Sequence, residues 1–110
     1  MFRIFRIAAA MMLVLAAPIS VMAAEPAQDA NTIVMRDFDF SPMSLTVKAG
    51  TTVTWKNLDG EPHTVASIDG AFHSAALDEG DSFTFKFEKP GTYKYVCSIH
   101  PKMMAVIIVQ

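Results

Sequence analysis

The chain has 110 residues, 52% of them hydrophobic and 18% charged, with a formal net charge of −2 and one cysteine. That length suits a single domain. A mildly acidic balance without a basic cluster excludes the electrostatic footprint of a nucleic-acid binder or of a protein held on an anionic membrane surface.

The chain opens with Arg3 and Arg6, continues through an apolar run from Ile7 to Ala17, and leaves it on the small residues of Val21-Met22-Ala23-Ala24. This order reads as a secretory signal peptide over 1–24, cleaved after Ala23 or Ala24. The run is too short, and too soon followed by Glu25-Pro26, for a spanning helix of about 20 apolar residues. Export to the periplasm is therefore expected, with no membrane insertion after cleavage. Removing Arg3 and Arg6 leaves seven basic residues against eleven acidic ones, a formal charge of −4, on a mature chain of about 86 residues. Of the eight methionines, Met35, Met43, Met103 and Met104 remain.

Residues 25–31 are small and polar and read as a flexible leader to a domain over 32–110. From there glycine turns recur at Ala49-Gly50, Asp59-Gly60, Asp69-Gly70, Glu79-Gly80 and Pro90-Gly91, close to one every ten residues. Such spacing predicts an all-β fold, a Greek-key antiparallel β-sandwich of about seven to eight strands. Strands are expected over 32–36, 44–48, 51–56, 63–68, 81–87, 91–97 and 105–110. Phe83, Phe85 and Phe87 alternate with Thr84 and Lys86, giving one buried and one wet face. The last segment, Ala105-Val106-Ile107-Ile108-Val109, is apolar on both faces and predicts a central strand.

Parity carries the functional reading. Tyr93, Tyr95 and Cys97 share one face of their strand, so the thiol is expected to point inward at the strand end. An exported chain leaves an odd thiol to be shielded or used. Three residues on comes His100, and three further Met103, in a loop between two strands. His63 follows the turn Asp59-Gly60-Glu61-Pro62, and in a Greek-key sandwich that turn can lie at the same end. Two imidazoles, a thiolate and a weak axial thioether form the donor set of blue-copper electron-transfer sites. Zinc favours four strong N or S donors and has no redox chemistry.

Asp37-Phe38-Asp39-Phe40-Ser41-Pro42, the segment from Leu45 to Trp55, Pro62-His63-Thr64-Val65 and the segment from Gly91 to Pro101 together resemble the cupredoxins. These are small type 1 blue copper proteins, and the similarity is to their amicyanin-like and plastocyanin-like branch. The resemblance covers nearly the whole mature chain. It implies one copper ion, cycling between Cu(I) and Cu(II), bound by His63, Cys97, His100 and Met103. The interval from Cys97 to Met103 matches the short loop of amicyanin, and the adjacent Met104 is the alternative axial ligand. Many members carry an asparagine after the first histidine; here it is Thr64, whose hydroxyl can make a similar tie.

The expected function is that of a monomeric periplasmic carrier of single electrons between redox proteins, such as a c-type cytochrome or a periplasmic dehydrogenase or reductase. Electrons are expected to pass through His100, amid Pro62, Pro101 and Met104. The alternative is a copper-binding protein for storage, delivery or resistance. No paired carboxylates, Gly-x-Ser-x-Gly, His-Glu-x-x-His or phosphate-binding glycine loop suggests an enzyme. His73 reads as a surface residue, and Met35 and Met43 as core and edge packing.

Overall fold

Apolar and polar side chains alternate along most of this chain, and the structure answers with eight strands and, among the described residues, no helix. The structure is a computed structural model that describes residues 13, 14, 16 and 30–110. The expected signal peptide over 1–24 and leader over 25–31 fall almost wholly outside those residues. No helix among the described residues is long and apolar enough to cross a membrane.

The strands are β1 (Thr32–Arg36), β2 (Asp39–Ser41), β3 (Ser44–Val47), β4 (Thr51–Asn57), β5 (Ala66–Ser67), β6 (Ser82–Phe87), β7 (Gly91–Val96) and β8 (Met104–Val109). They form two four-stranded sheets, ordered β2-β1-β4-β6 and β3-β8-β7-β5. Ile33, Met35, Phe40, Val53, Trp55 and Phe87 come from the first sheet. They pack in one buried core with Val47, Tyr95, Ile107 and Val109 of the second. This is the expected sandwich. The period-2 pattern is plainest in β4, where Val53, Trp55 and Asn57 are buried and Thr52 and Lys56 exposed. Trp55 sits at the centre, its ring 5.6 Å from those of both Phe72 and Tyr95 and 5.7 Å from Phe83.

Three features depart from the expected pattern. Each sheet is mixed, because β1 pairs parallel with β4 and β3 parallel with β8. The chain visits the second sheet between β2 and β4, and alternation within a strand carries no information about that crossing. β2 is an added short strand, paired with β1 from Val34↔Ser41 to Arg36↔Asp39. The strand expected over 63–68 contracts to Ala66–Ser67. Its first residues turn instead to the segment before β6, through bridges His63↔Leu77 and Ala66↔His73.

β8 lies between β3 and β7, as its doubly apolar sequence requires. Ile107 is opposite Leu45 on one side and Tyr93 on the other, and is fully buried. Truncation to Ile107→Ala is expected to lower stability by about 2–5 kcal/mol, through lost transfer energy and a cavity. Urea unfolding checks this; a loss under about 1 kcal/mol would mean that β8 is not the packed centre of its sheet.

Candidate metal centre

The loop after β7 is closed by its own backbone. The Cys97 N–H donates to the Met103 carbonyl at 3.1 Å, and the Met103 N–H donates to the His100 carbonyl at 2.9 Å. These bonds continue the β7–β8 ladder, whose last pair is Val96↔Met104. The interval from Cys97 to Met103 thus folds back on itself and carries the His100 ring over the thiol, with Sγ 3.8 Å from His100 Nδ1. His63 approaches from the other side, its Nδ1 3.9 Å from Sγ and 3.2 Å from His100 Nδ1. His63 is held in both directions to Leu77, donating its N–H at 3.0 Å and accepting at 2.7 Å. Cys97 and His63 are fully buried and His100 is half-buried.

The three donor atoms suit one metal ion. Bonds of about 2.0–2.1 Å from nitrogen and about 2.3 Å from sulfur, the lengths found with zinc, span a triangle with sides of about 3.5–3.8 Å. The observed sides of 3.2, 3.8 and 3.9 Å lie close to that triangle. His63 Nε2 lies 2.8 Å from Asp59 Oδ2. A carboxylate there accepts the Nε2 proton and leaves Nδ1 with a free lone pair facing the other donors. Burial pushes the Asp59 carboxyl up. Hydrogen bonds from the Phe38 amide, the His63 ring and the Asp37 amide outweigh it and hold the group below its ordinary value.

Cys97 is prepared as an anion. Burial pushes its thiol up, but the amides of Thr64, His100 and Ile99 and the His100 ring bring it from 9.0 down to about 6. The Thr64 N–H is 3.3 Å from Sγ. The Thr64 hydroxyl oxygen accepts the Ser98 N–H at 2.7 Å and lies 2.7 Å from Ser98 Oγ. Thr64 therefore ties the ligand loop as its hydroxyl was expected to.

Met103 is buried at the base of the loop, at 2% exposure, whereas Met104 is 53% exposed. His73 is exposed, Met35 is fully buried in the core, and Met43 is exposed at the sheet edge. Two contributors went unread in the sequence. Asp37 and Phe38 form a two-residue turn between β1 and β2, with φ of 54° and 58°. Such angles suit a type I′ hairpin, which usually signals itself as Asn-Gly. Outside glycine they cost about 1–2 kcal/mol per residue. The Asp59 carboxylate offsets this by accepting both amides, from Asp37 at 2.7 Å and Phe38 at 3.0 Å. The Phe38 ring then stands edge-on to His63 and His100, at 5.3 and 5.0 Å between centroids.

The lowered Cys97 value has a consequence for the metal-free protein. A group whose folded value is depressed stabilises the fold in full above its unfolded value, and that stability is lost as pH falls through the folded value. Metal-free protein is therefore expected to lose stability as pH drops from about 9 through about 6, and its thiolate absorbance to titrate with a midpoint of about 6. Ultraviolet pH titration checks this, with Cys97→Ser as the blank. A midpoint near the ordinary 9.0 would contradict the hydrogen-bonded thiolate.

Comparison with known proteins agrees with this geometry. The family model described as a cupredoxin-like domain matches residues 6–109. Amicyanin of Paracoccus denitrificans is 33% identical over 93 residues, covering 80% of this chain and 71% of the amicyanin. Among solved structures, a purple cupredoxin from Nitrosopumilus maritimus superposes with a TM-score of 0.69 at 36% identity, covering 72% of this chain and 98% of that one. A copper-containing nitrite reductase from Thermus scotoductus SA-01 superposes with a TM-score of 0.70 at 33% identity, covering 87% of this chain and 26% of that one. A two-sheet sandwich, a His-Cys-His group with two of its three residues buried, and these matches place the chain in the cupredoxin-like family.

Proposed function

We propose that this chain is an exported type 1 copper protein that carries single electrons between redox partners, with one copper ion held by His63, Cys97, His100 and, axially, Met103. The observation that carries the reading is the convergence of one cysteine Sγ and two histidine Nδ1 atoms, 3.2–3.9 Å apart, at the end of a rigid sandwich. A soft thiolate and thioether favour Cu(I), and imidazoles accept Cu(II). Bound copper supplies a one-electron couple between those states.

The chain's own residues supply the rest. The Thr64 amide and the loop amides hold Cys97 as a thiolate, so a metal ion displaces little proton at neutral pH. Asp59 fixes the His63 tautomer. Hydrogen bonds at both ends of the loop and at His63 resist movement of the donors, which keeps rearrangement small when the charge of the centre changes. His100 is half-buried, so its ring can meet a partner while Cys97 and His63 stay dry. Beside it Phe38 and Ile99 are 45% and 49% exposed. An apolar surface of this kind suits brief electron-transfer encounters, which use small interfaces. The partner is a redox protein, such as a c-type cytochrome or a periplasmic dehydrogenase or reductase.

Similarity to amicyanin supports electron carriage, and the basic, apolar and small-residue order of the N-terminus supports export. The similarity to amicyanin favours an electron carrier over an enzyme. The nitrite reductase match spans only 26% of that protein.

Copper titration followed by ascorbate reduction tests the reading. An intense visible band is expected to saturate at one copper per chain, bleach on reduction and return on oxidation; Cys97→Ala is expected to abolish it in a folded sandwich. A colourless protein that binds Cu(I) and holds Cu(II) weakly would replace the carrier reading with copper handling. Met103→Leu is expected to keep the colour and change the potential, and Met104→Leu to change neither. The reverse pattern would make Met104 the axial ligand.

A further inference from the structure

The Phe38 ring meets both imidazoles nearly at right angles, at 84° to His63 and 88° to His100, while the residue remains 45% exposed. Beside it lies a groove of about 440 Å³ whose walls include Phe38, Ile99, His100, Pro101 and Met103. His63 does not line that groove, although Phe38 touches it. The ring is therefore the wall between the groove and the inner histidine.

That wall is built rather than incidental. Phe38 is the second residue of a left-handed turn, a conformation an aromatic residue rarely adopts unaided. Asp59 holds the turn through the Asp37 and Phe38 amides, and with Oδ2 also holds His63 Nε2. Asp59 is itself fixed, its N–H donating to the side-chain oxygen of buried Asn57 at 2.9 Å. The Asn57 amide nitrogen in turn donates to the carbonyls of Glu61 and Leu77. One carboxylate thus sets both the orientation of the inner histidine and the place of the ring that covers it.

We propose that Phe38, positioned by Asp59, is a shield that keeps water and small anions in the groove away from the two enclosed donors, His63 and Cys97. This inference rests on the copper reading above. The Phe38 ring lies against both imidazoles on the side of the groove, so it would stand between a small ligand in the groove and the inner donors if they held a metal ion.

Phe38→Gly removes the ring without disturbing the turn, since glycine adopts positive φ freely; Phe38→Tyr keeps the ring. Two probes read access. Azide is titrated into the Cu(II)-loaded protein and followed by visible absorption, and iodoacetamide is reacted with Cys97 in the copper-free protein. Phe38→Gly is expected to acquire a saturable azide-dependent change and to alkylate about tenfold faster, with wild type and Phe38→Tyr unresponsive to azide and slow. Asp59→Asn offers one acceptor oxygen to three donors, so it is expected to speed alkylation and shift the reduction potential with Phe38 still present. If Phe38→Gly alkylates at the wild-type rate and ignores azide, the shield is overturned. If wild type forms no coloured copper complex while Phe38→Gly still accelerates alkylation, the copper reading fails and the physical shield stands.

Discussion

The Thr64 N–H reaches Cys97 Sγ across 3.3 Å, and the Thr64 hydroxyl takes the Ser98 N–H at 2.7 Å. These two bonds join the segment that carries His63 to the loop that carries Cys97 and His100. The donors come from parts of the chain 34 residues apart, and their separation is fixed only where those parts are fastened together. The fastening sits on the core: β5 pairs with β7 through Ala66↔Val96 and Ser67↔Tyr95, and the two sheets close over Trp55 and Tyr95. Packing in the middle of the sandwich thereby helps hold the donors in place at its end, because close-packed interiors deform little.

Electrostatics then complete what packing begins. Cys97 is buried yet held at about 6, because backbone amides solvate the thiolate in place of water. Asp59 plays the corresponding part for His63. Donors arranged and ionised before a metal arrives need little rearrangement when it binds or changes charge. A half-buried His100 and an exposed Phe38 meet solvent at that end, so the surface a partner would touch and the donors beneath it are parts of one assembly.

Much of this was legible in the sequence, for identifiable reasons. The glycine turns and the alternation in 51–56 and 81–87 specify strands because one face of each must be buried. The parity of Tyr93, Tyr95 and Cys97 places the thiol inside, and Cys97-Ser98-Ile99-His100 places an imidazole within reach of it. Pairing partners were harder, since alternation gives a strand its faces and says nothing of its neighbour's direction; the parallel β1–β4 and β3–β8 pairs show the gap. Contraction of the strand over 63–68 was likewise hidden, because His63 and Ala66 pair with Leu77 and His73 in a segment without strand periodicity. Asp59 and Phe38 were missed for a different reason. Their roles depend on a hairpin turn written Asp-Phe in place of Asn-Gly, and on hydrogen bonds across 21 and 22 residues. Only the three-dimensional fold makes those residues neighbours.

The central claim is that the protein presents the same rigid donor set to copper in both oxidation states. X-ray absorption at the copper edge, recorded on the oxidised protein and again after reduction, tests it most directly. Two nitrogen ligands and one short sulfur ligand are expected in both spectra, with little change in bond length. Loss of the sulfur, or of either nitrogen, on reduction would contradict a site preassembled by His63, Cys97 and His100.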